Sequence, residues 1–336
     1  MTESSSTIWT QAAVAPKAGG AGRSEADVAD WRQLTSRTAA LATANGWSKA
    51  EVARRSGMAE GTFSQWFSGT YAGRFDTQNE RIRQWLDTAE EMAEMARGIP
   101  ASPPFFETKT SREIMETLLY AQMLPEIAVI VLGAGMGKTT TAEQFCATRP
   151  HAYLVTMTPN TRTCHGMLVE IAAALGVTQH NPAKLHRAIG ERLQRNGRQC
   201  LLIIDEAQNL VDQAVNQLRS FHDINECGIA LIGNKEIYGR FAGRSDGPSY
   251  AQIKRRIGKR LNRTQPYAED IAAQIDAWGV RDEEARKFLT GIGHKPGALG
   301  EIDKTLRLAG IAAGGDYEAI TVKHIRAAWA NRGAEE

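Results

Sequence analysis

Residues 127–140 read Ile-Ala-Val-Ile-Val-Leu-Gly-Ala-Gly-Met-Gly-Lys-Thr-Thr, and this stretch decides the fold. The apolar run Ile127 to Leu132 has the length of a strand buried on both faces. It passes directly into Gly133, Ala134, Gly135, Met136, Gly137, Lys138, Thr139 and Thr140, after which the pattern suits a helix. Strand, glycine-rich turn and helix in that order are the setting of a phosphate loop. Glycine lets the backbone curl until its amides converge on phosphate oxygens. Lys138 would neutralise the β- and γ-phosphates, and the Thr139 hydroxyl would ligate Mg²⁺. One departure stands out: the usual pattern opens on a glycine where this chain has the bulkier Leu132. The reading is nucleotide binding.

Further apolar runs, Ala152–Thr156, Cys200–Ile204 and Gly228–Ile232, alternate with helical stretches. That alternation predicts an α/β fold with a parallel sheet covered on both faces. The run Leu201–Ile204 ends in Asp205 and Glu206. Two carboxylates at the tip of a buried strand are costly unless a metal or a reaction uses them. Asp205 would hold the Mg²⁺ shell and Glu206 would polarise an attacking water. After the next run, Asn234 reads as a γ-phosphate sensor or as a turn asparagine. The segment 247–268 then carries Lys254, Arg255, Arg256, Lys259, Arg260 and Arg263 and no acid. An arginine finger, a DNA-facing patch and a solvated helix face all remain open for it.

Working outward, residues 1–25 are rich in Ser, Ala and Gly and are expected to be a disordered tail. Residues 26–97 read as a helical domain. Ser48 with Glu51 has the form of a capping box. Ala53, Gly57, Phe63 and Trp66 have the spacing of a helix-turn-helix, which would turn Thr62, Ser64 and Gln65 to a DNA groove and set Lys49, Arg54 and Arg55 near phosphates. A helical pair used for protein contacts is the other reading. Pro100, Pro103 and Pro104 mark a linker over 98–104. An α/β core over 105–265 and a helical block over 266–336 complete the expected organisation.

Composition bounds the function. The chain has 336 residues, and 40 Lys+Arg against 38 Asp+Glu leave a net charge of +2. A uniformly basic nucleic-acid coat is excluded, although local patches are not. No apolar run is long enough to span a bilayer, and the N-terminus lacks the apolar core of a secretory signal. The 4 cysteines, Cys146, Cys164, Cys200 and Cys227, form no CxxC pair, which argues against a zinc site or disulfide framework. The expectation is a soluble cytoplasmic protein.

From about Trp47 to its end the chain resembles the AAA+ ATPase subunits of DNA transposition, of the phage Mu B (MuB) type and, more distantly, the TnsC type. The resemblance rests on Phe106-Glu107-Thr108, Thr156-Met157-Thr158-Pro159, Asp205-Glu206-Ala207, Gly233-Asn234, Arg256-Ile257-Gly258-Lys259-Arg260 and His294-Lys295-Pro296-Gly297-Ala298-Leu299. It implies an AAA+ P-loop NTPase with a C-terminal helical lid, with Phe106 and Thr108 near the adenine of ATP. It implies that Arg256 acts in trans within an oligomer, as a catalytic partner of Glu206 and Asn234. Such proteins form ATP-dependent filaments on double-stranded DNA and present it to a DDE transposase. On that reading Thr158, Arg162, Lys184 and Arg187 are candidate DNA contacts. Relatives often carry a sensor 2 arginine where this chain has Gly300; Lys295 or Lys304 would have to substitute, or turnover would be slow. A helicase, a helicase loader or replication initiator, and a nucleotide-switched transcription regulator are the rival functions.

Overall fold

The computed structural model describes residues 9, 15–19, 22–97, 101–197, 199–237, 239, 253–316 and 319–333. The chain divides into two compact units, Met1–Gly98 and Ile99–Glu336.

In the first unit, helix α1 (Glu25–Asn45) begins at Ser24, whose side chain accepts from the Asp27 amide while the Asp27 carboxylate accepts from the Ser24 amide. Helix α2 (Lys49–Arg55) begins at Ser48, which caps the Glu51 amide. The expected box is only half made, because the Glu51 carboxylate turns to Arg54 and Arg55 instead. Gly57 turns the chain at φ 69°, and α3 (Glu60–Phe67) and α4 (Phe75–Arg97) follow. Trp31, Phe63, Trp66, Phe67 and Phe75 form the core. Its indole N–H groups are satisfied: Trp31 donates to the Trp66 carbonyl at 2.6 Å and Trp66 to Asn79 Oδ1 at 2.9 Å. Most of the expected tail lies outside the described residues, but Trp9 is buried edge-on against Phe67 and donates to the Trp47 carbonyl at 3.0 Å.

The second unit is built on five parallel strands in the order β2-β3-β4-β1-β5. They are β1 (Ile127–Leu132), β2 (Ala152–Thr156), β3 (Leu201–Asp205), β4 (Gly228–Gly233) and β5 (Ile257–Arg263). Successive residues of the central strands face opposite cores, so their unbroken apolar runs serve both. Ile127, Val129, Val131, Leu202, Ile204, Ile229 and Leu231 meet α7 (Cys164–Leu175), α8 (Pro182–Arg195) and α9 (Asp212–Asn225). Ala128, Ile130, Leu132, Leu201, Ile203, Ala230 and Ile232 meet α5 (Lys109–Met123) and α6 (Lys138–Thr148). After a single helical turn, α10 (Lys235–Ile237), and strand β5, four helices pack on one another through a core of their own. These are α11 (Ala268–Ala277), α12 (Glu283–Gly293), α13 (Ala298–Ala312) and α14 (Val322–Asn331).

Strand β5 corrects the reading of the basic segment as a helix face. Its residues alternate between half-buried and exposed, as a strand on the sheet edge does, and it pairs with β1.

Candidate nucleotide-binding site

Strand order assembles the site. β4 lies between β1 and β3, with Val131 opposite Gly233 and Ile204 opposite Leu231. The loop after β1, the Asp205–Glu206 pair and Asn234 therefore emerge side by side at the C-terminal end of the sheet. Thr139 donates its hydroxyl to Asp205 Oδ2 at 2.6 Å, and the Glu206 amide donates to Asp205 Oδ1 at 2.9 Å. Those bonds satisfy a carboxylate with no exposed surface. Lys138 Nζ donates to the carbonyls of Leu132 and Gly133 at 3.1 and 2.8 Å. Burial lowers the Lys138 pKa from its ordinary value, with the charges of Glu206 and Asp205 in partial opposition. The unusual Leu132 is accommodated because its side chain belongs to the buried face under α5 and α6, leaving the carbonyl to the loop. Glu206 has φ 52° and ψ 37°, a left-handed conformation that costs a non-glycine residue about 1–3 kcal/mol. Gln208, which sequence reasoning did not single out for this role, donates its carboxamide to Glu206 Oε2. Asn234 accepts the Glu236 amide at 2.9 Å on its Oδ1, as a turn asparagine does.

A cavity of about 350 Å³ adjoins the loop. Phe106 and Thr108 line it with Gly135, Met136, Gly137 and Thr140, so these candidates are brought together. Ser102, Pro103 and Pro104 line it too, which moves the start of the site into the segment expected to be a mere linker. Leu299, Gly300 and Asp303 of α13 form the opposite wall. Gly300, which stands where relatives often carry the sensor 2 arginine, contacts the loop directly. The Gly300 amide donates to the Gly135 carbonyl at 3.2 Å, and a Cβ on Gly135 would stand 1.7 Å from the Gly297 carbonyl oxygen. Helix α13 meets the loop backbone to backbone, and it is Gly135, not Gly300, that this approach requires to be glycine. Of the two lysines considered as substitutes, Lys295 lies over the Trp329 ring at 5.3 Å and Lys304 pairs with Glu301 at 3.5 Å, and neither lines the cavity.

Arg256 stands apart from all of this. It precedes β5, at the opposite end of the sheet from Lys138, and its Nε meets Asp223 Oδ1 of α9 at 2.6 Å. At the opposite corner of β5, Arg263 stacks on Tyr267 at 3.6 Å and pairs with Glu113 at 3.4 Å.

The comparisons with known proteins follow this division. Residues 123–241 match the family model described as an AAA domain, and residues 255–331 match the one described as Mu B transposition protein, C terminal. The chain is 31% identical over 281 residues to the ATP-dependent target DNA activator B of Escherichia phage Mu, covering 83% of this chain and 88% of that one. The chain belongs to the Mu B family. The Mu-like prophage FluMu DNA transposition protein B of Haemophilus influenzae is 31% identical over 261 residues, 76% of this chain and 89% of its own. Among solved structures, Cdc6p from Pyrobaculum aerophilum superposes with a TM-score of 0.51 over 70% of each chain at 18% identity, a likeness of fold. This Mu B family member is thus an AAA+ P-loop ATPase.

The DNA candidates of the Mu B reading fall in three places. Thr158 and Arg162 are exposed on one loop after β2. Asn209 Nδ2 donates to the Met157 carbonyl at 2.8 Å and the Val211 amide to the Arg162 carbonyl at 3.1 Å, which ties that loop to the segment following Glu206. Lys184 and Arg187 are exposed on α8, but Arg187 pairs with Glu191 at 2.9 Å. In the first unit, Ser64 and Gln65 are exposed on α3 and Thr62 is half-buried. Arg54 and Arg55, expected near phosphates, pair with Glu51 at 2.6 and 2.7 Å and remain exposed. Among the described residues no helix is long and apolar enough to cross a membrane.

Proposed function

We propose that this chain is an ATP-dependent, largely sequence-nonspecific DNA-binding ATPase that assembles on duplex DNA and delivers it as target to a DDE transposase. Lys138 and the loop amides hold the triphosphate. Thr139 and Asp205 hold Mg²⁺, and their fit is chemical: a hydroxyl and a carboxylate 2.6 Å apart are the hard oxygen donors that this ion prefers. Bound there, the ion neutralises charge on the phosphate oxygens. Glu206, held by Gln208, orients and polarises the attacking water. Asn234 registers the γ-phosphate from the neighbouring strand tip. Arg256 serves the nucleotide of an adjacent copy, so the triphosphate becomes part of the interface between copies.

The loop tie carries the coupling of ATP to DNA. Thr158 and Arg162 sit on a loop bonded to the residues that follow Glu206, so a rearrangement on hydrolysis reaches the DNA contacts directly. With Lys184 and Arg187 they contact phosphate instead of base edges, which gives little sequence preference and a steep salt dependence. Residues 26–97 act as a helix-turn-helix domain presenting Thr62, Ser64 and Gln65, residues 105–265 as the AAA+ core and residues 266–336 as its lid.

Electron microscopy of the full chain with duplex DNA tests the proposal. Regular filaments are expected with ATP or a slowly hydrolysed analogue and none with ADP, and Lys138→Ala should give none with either. Coating of DNA that is indifferent to nucleotide, or undiminished in Lys138→Ala, overturns it.

A further inference from the structure

Helix α11 enters the second unit with two polar side chains one turn apart, Asp270 and Gln274, and both are buried, at 1% and 8% exposure. Residues four apart share one face of a helix. Asp270 is fully employed. Its carboxylate accepts the Lys109 amide at 2.7 Å, the Thr110 amide at 3.2 Å and the Thr110 hydroxyl, capping the N-terminus of α5 from outside that helix. This cap fixes the rotation and height of α11 against α5. Gln274, one turn further on, lines the 350 Å³ cavity between Phe106 and Leu299, and no described residue gives its carboxamide a hydrogen bond. The side chain is mostly covered, but its carboxamide opens to the cavity without a partner from the chain, so both its donor and its acceptor are available to an occupant.

We propose that Gln274 is the specificity-determining residue of the nucleotide site and reads the adenine edge. A glutamine offers a donor and an acceptor side by side, which complements the adenine N6 amine and N7; guanine presents two acceptors, O6 and N7, along the same edge. The Gln274 oxygen accepts from the N6 amine and its nitrogen donates to the ring. Asp270 acts through the helix as a positioning residue and touches no ligand. Phe106 supplies apolar contact beside the ring, and Lys138 on the other side of the loop holds the phosphates. The proposal rests on the reading of this cavity as the base end of an ATP site.

Calorimetric titration of the full chain with ATP and with purine riboside triphosphate, which lacks the 6-amino group, tests it. The wild-type chain is expected to prefer ATP about tenfold. Gln274→Met, which keeps the length of the side chain, should weaken ATP about tenfold and bind the two nucleotides equally. Gln274→Glu keeps the acceptor and should retain the preference at lower affinity, which serves if the methionine variant does not fold. A wild-type chain without preference, or a Gln274→Met chain that keeps it, overturns the assignment. Lys138→Ala should weaken both nucleotides alike; if it leaves both unchanged, the ATP-site reading itself has failed, whatever Gln274 does.

Discussion

The two ends of the parallel sheet carry different chemistry. At the C-terminal end, β1, β3 and β4 deliver Lys138, Asp205 with Glu206, and Asn234 to adjacent positions, and α13 closes on the loop through a direct amide–carbonyl bond. At the N-terminal end stands Arg256, held by Asp223 and about one-third exposed. Strand β5 separates the ends by its seven residues, roughly 20 Å at the usual rise per residue. No rotamer of arginine spans that gap. One copy cannot bring its own Arg256 to a triphosphate on its own loop, so the role proposed for Arg256 requires a second copy. Contacts of this head-to-tail kind join unlike surfaces, and unless the rotation closes a ring they propagate as a helix.

The largest effect that can break this comparison comes from mixing variants. Arg256→Ala and Lys138→Ala are each expected to lose DNA-stimulated hydrolysis by about a thousandfold, the scale of an arginine finger. Mixed, they should regain a substantial fraction, because the Lys138→Ala copy lends its Arg256 to the intact loop of the other. A phosphate-release assay that shows no recovery at any ratio would place Arg256 outside the neighbour's site. Next in size is a contrast of two glycines. Gly135→Ala puts a Cβ 1.7 Å from a backbone oxygen at φ 69°, so nucleotide affinity should drop at least about tenfold and the melting temperature should fall. Gly300→Ala places its Cβ 3.4 Å from the Gly135 Cα inside a helix, so it should be neutral or stabilise by about 0.5–1 kcal/mol. Equal damage from both would mean that α13 does not rest on the loop. The smallest effect belongs to Asp223→Asn. An ion pair exposed to this degree contributes at most about 1 kcal/mol, so hydrolysis should fall no more than about fivefold, and less at high salt. A loss as large as that of Arg256→Ala would make Asp223 a participant and not a support.

The central strands and the loop were legible because burial on both faces demands unbroken apolar runs, and Ile127–Leu132 begins and ends where the residues change character; the edge strand Ala152–Thr156 was legible from its apolar residues although only Val155 is fully buried. Strand β5 was not legible. It lies half in solvent, its Lys259, Arg260 and Arg263 mimic a polar helix face, and only pairing with β1 makes it a strand. Partners distant in sequence were hidden as well. Asp270 and Gln274 acquire meaning from α5 and the cavity, more than a hundred residues upstream, and nothing local marks them. The bond from the Gly300 amide to the Gly135 carbonyl was hidden for the same reason. Gln208 had a local signal, its place two residues after Glu206, and that signal could have been used.

The charged margin of β5 has one more result. An open strand offers its amides and carbonyls to any passing strand, and chains that must crowd together at high local concentration run the greatest hazard of fusing sheet to sheet. Lysine and arginine repeated along that rim repel a second rim of the same kind. Charge on that rim disfavours extension of the sheet by a second copy.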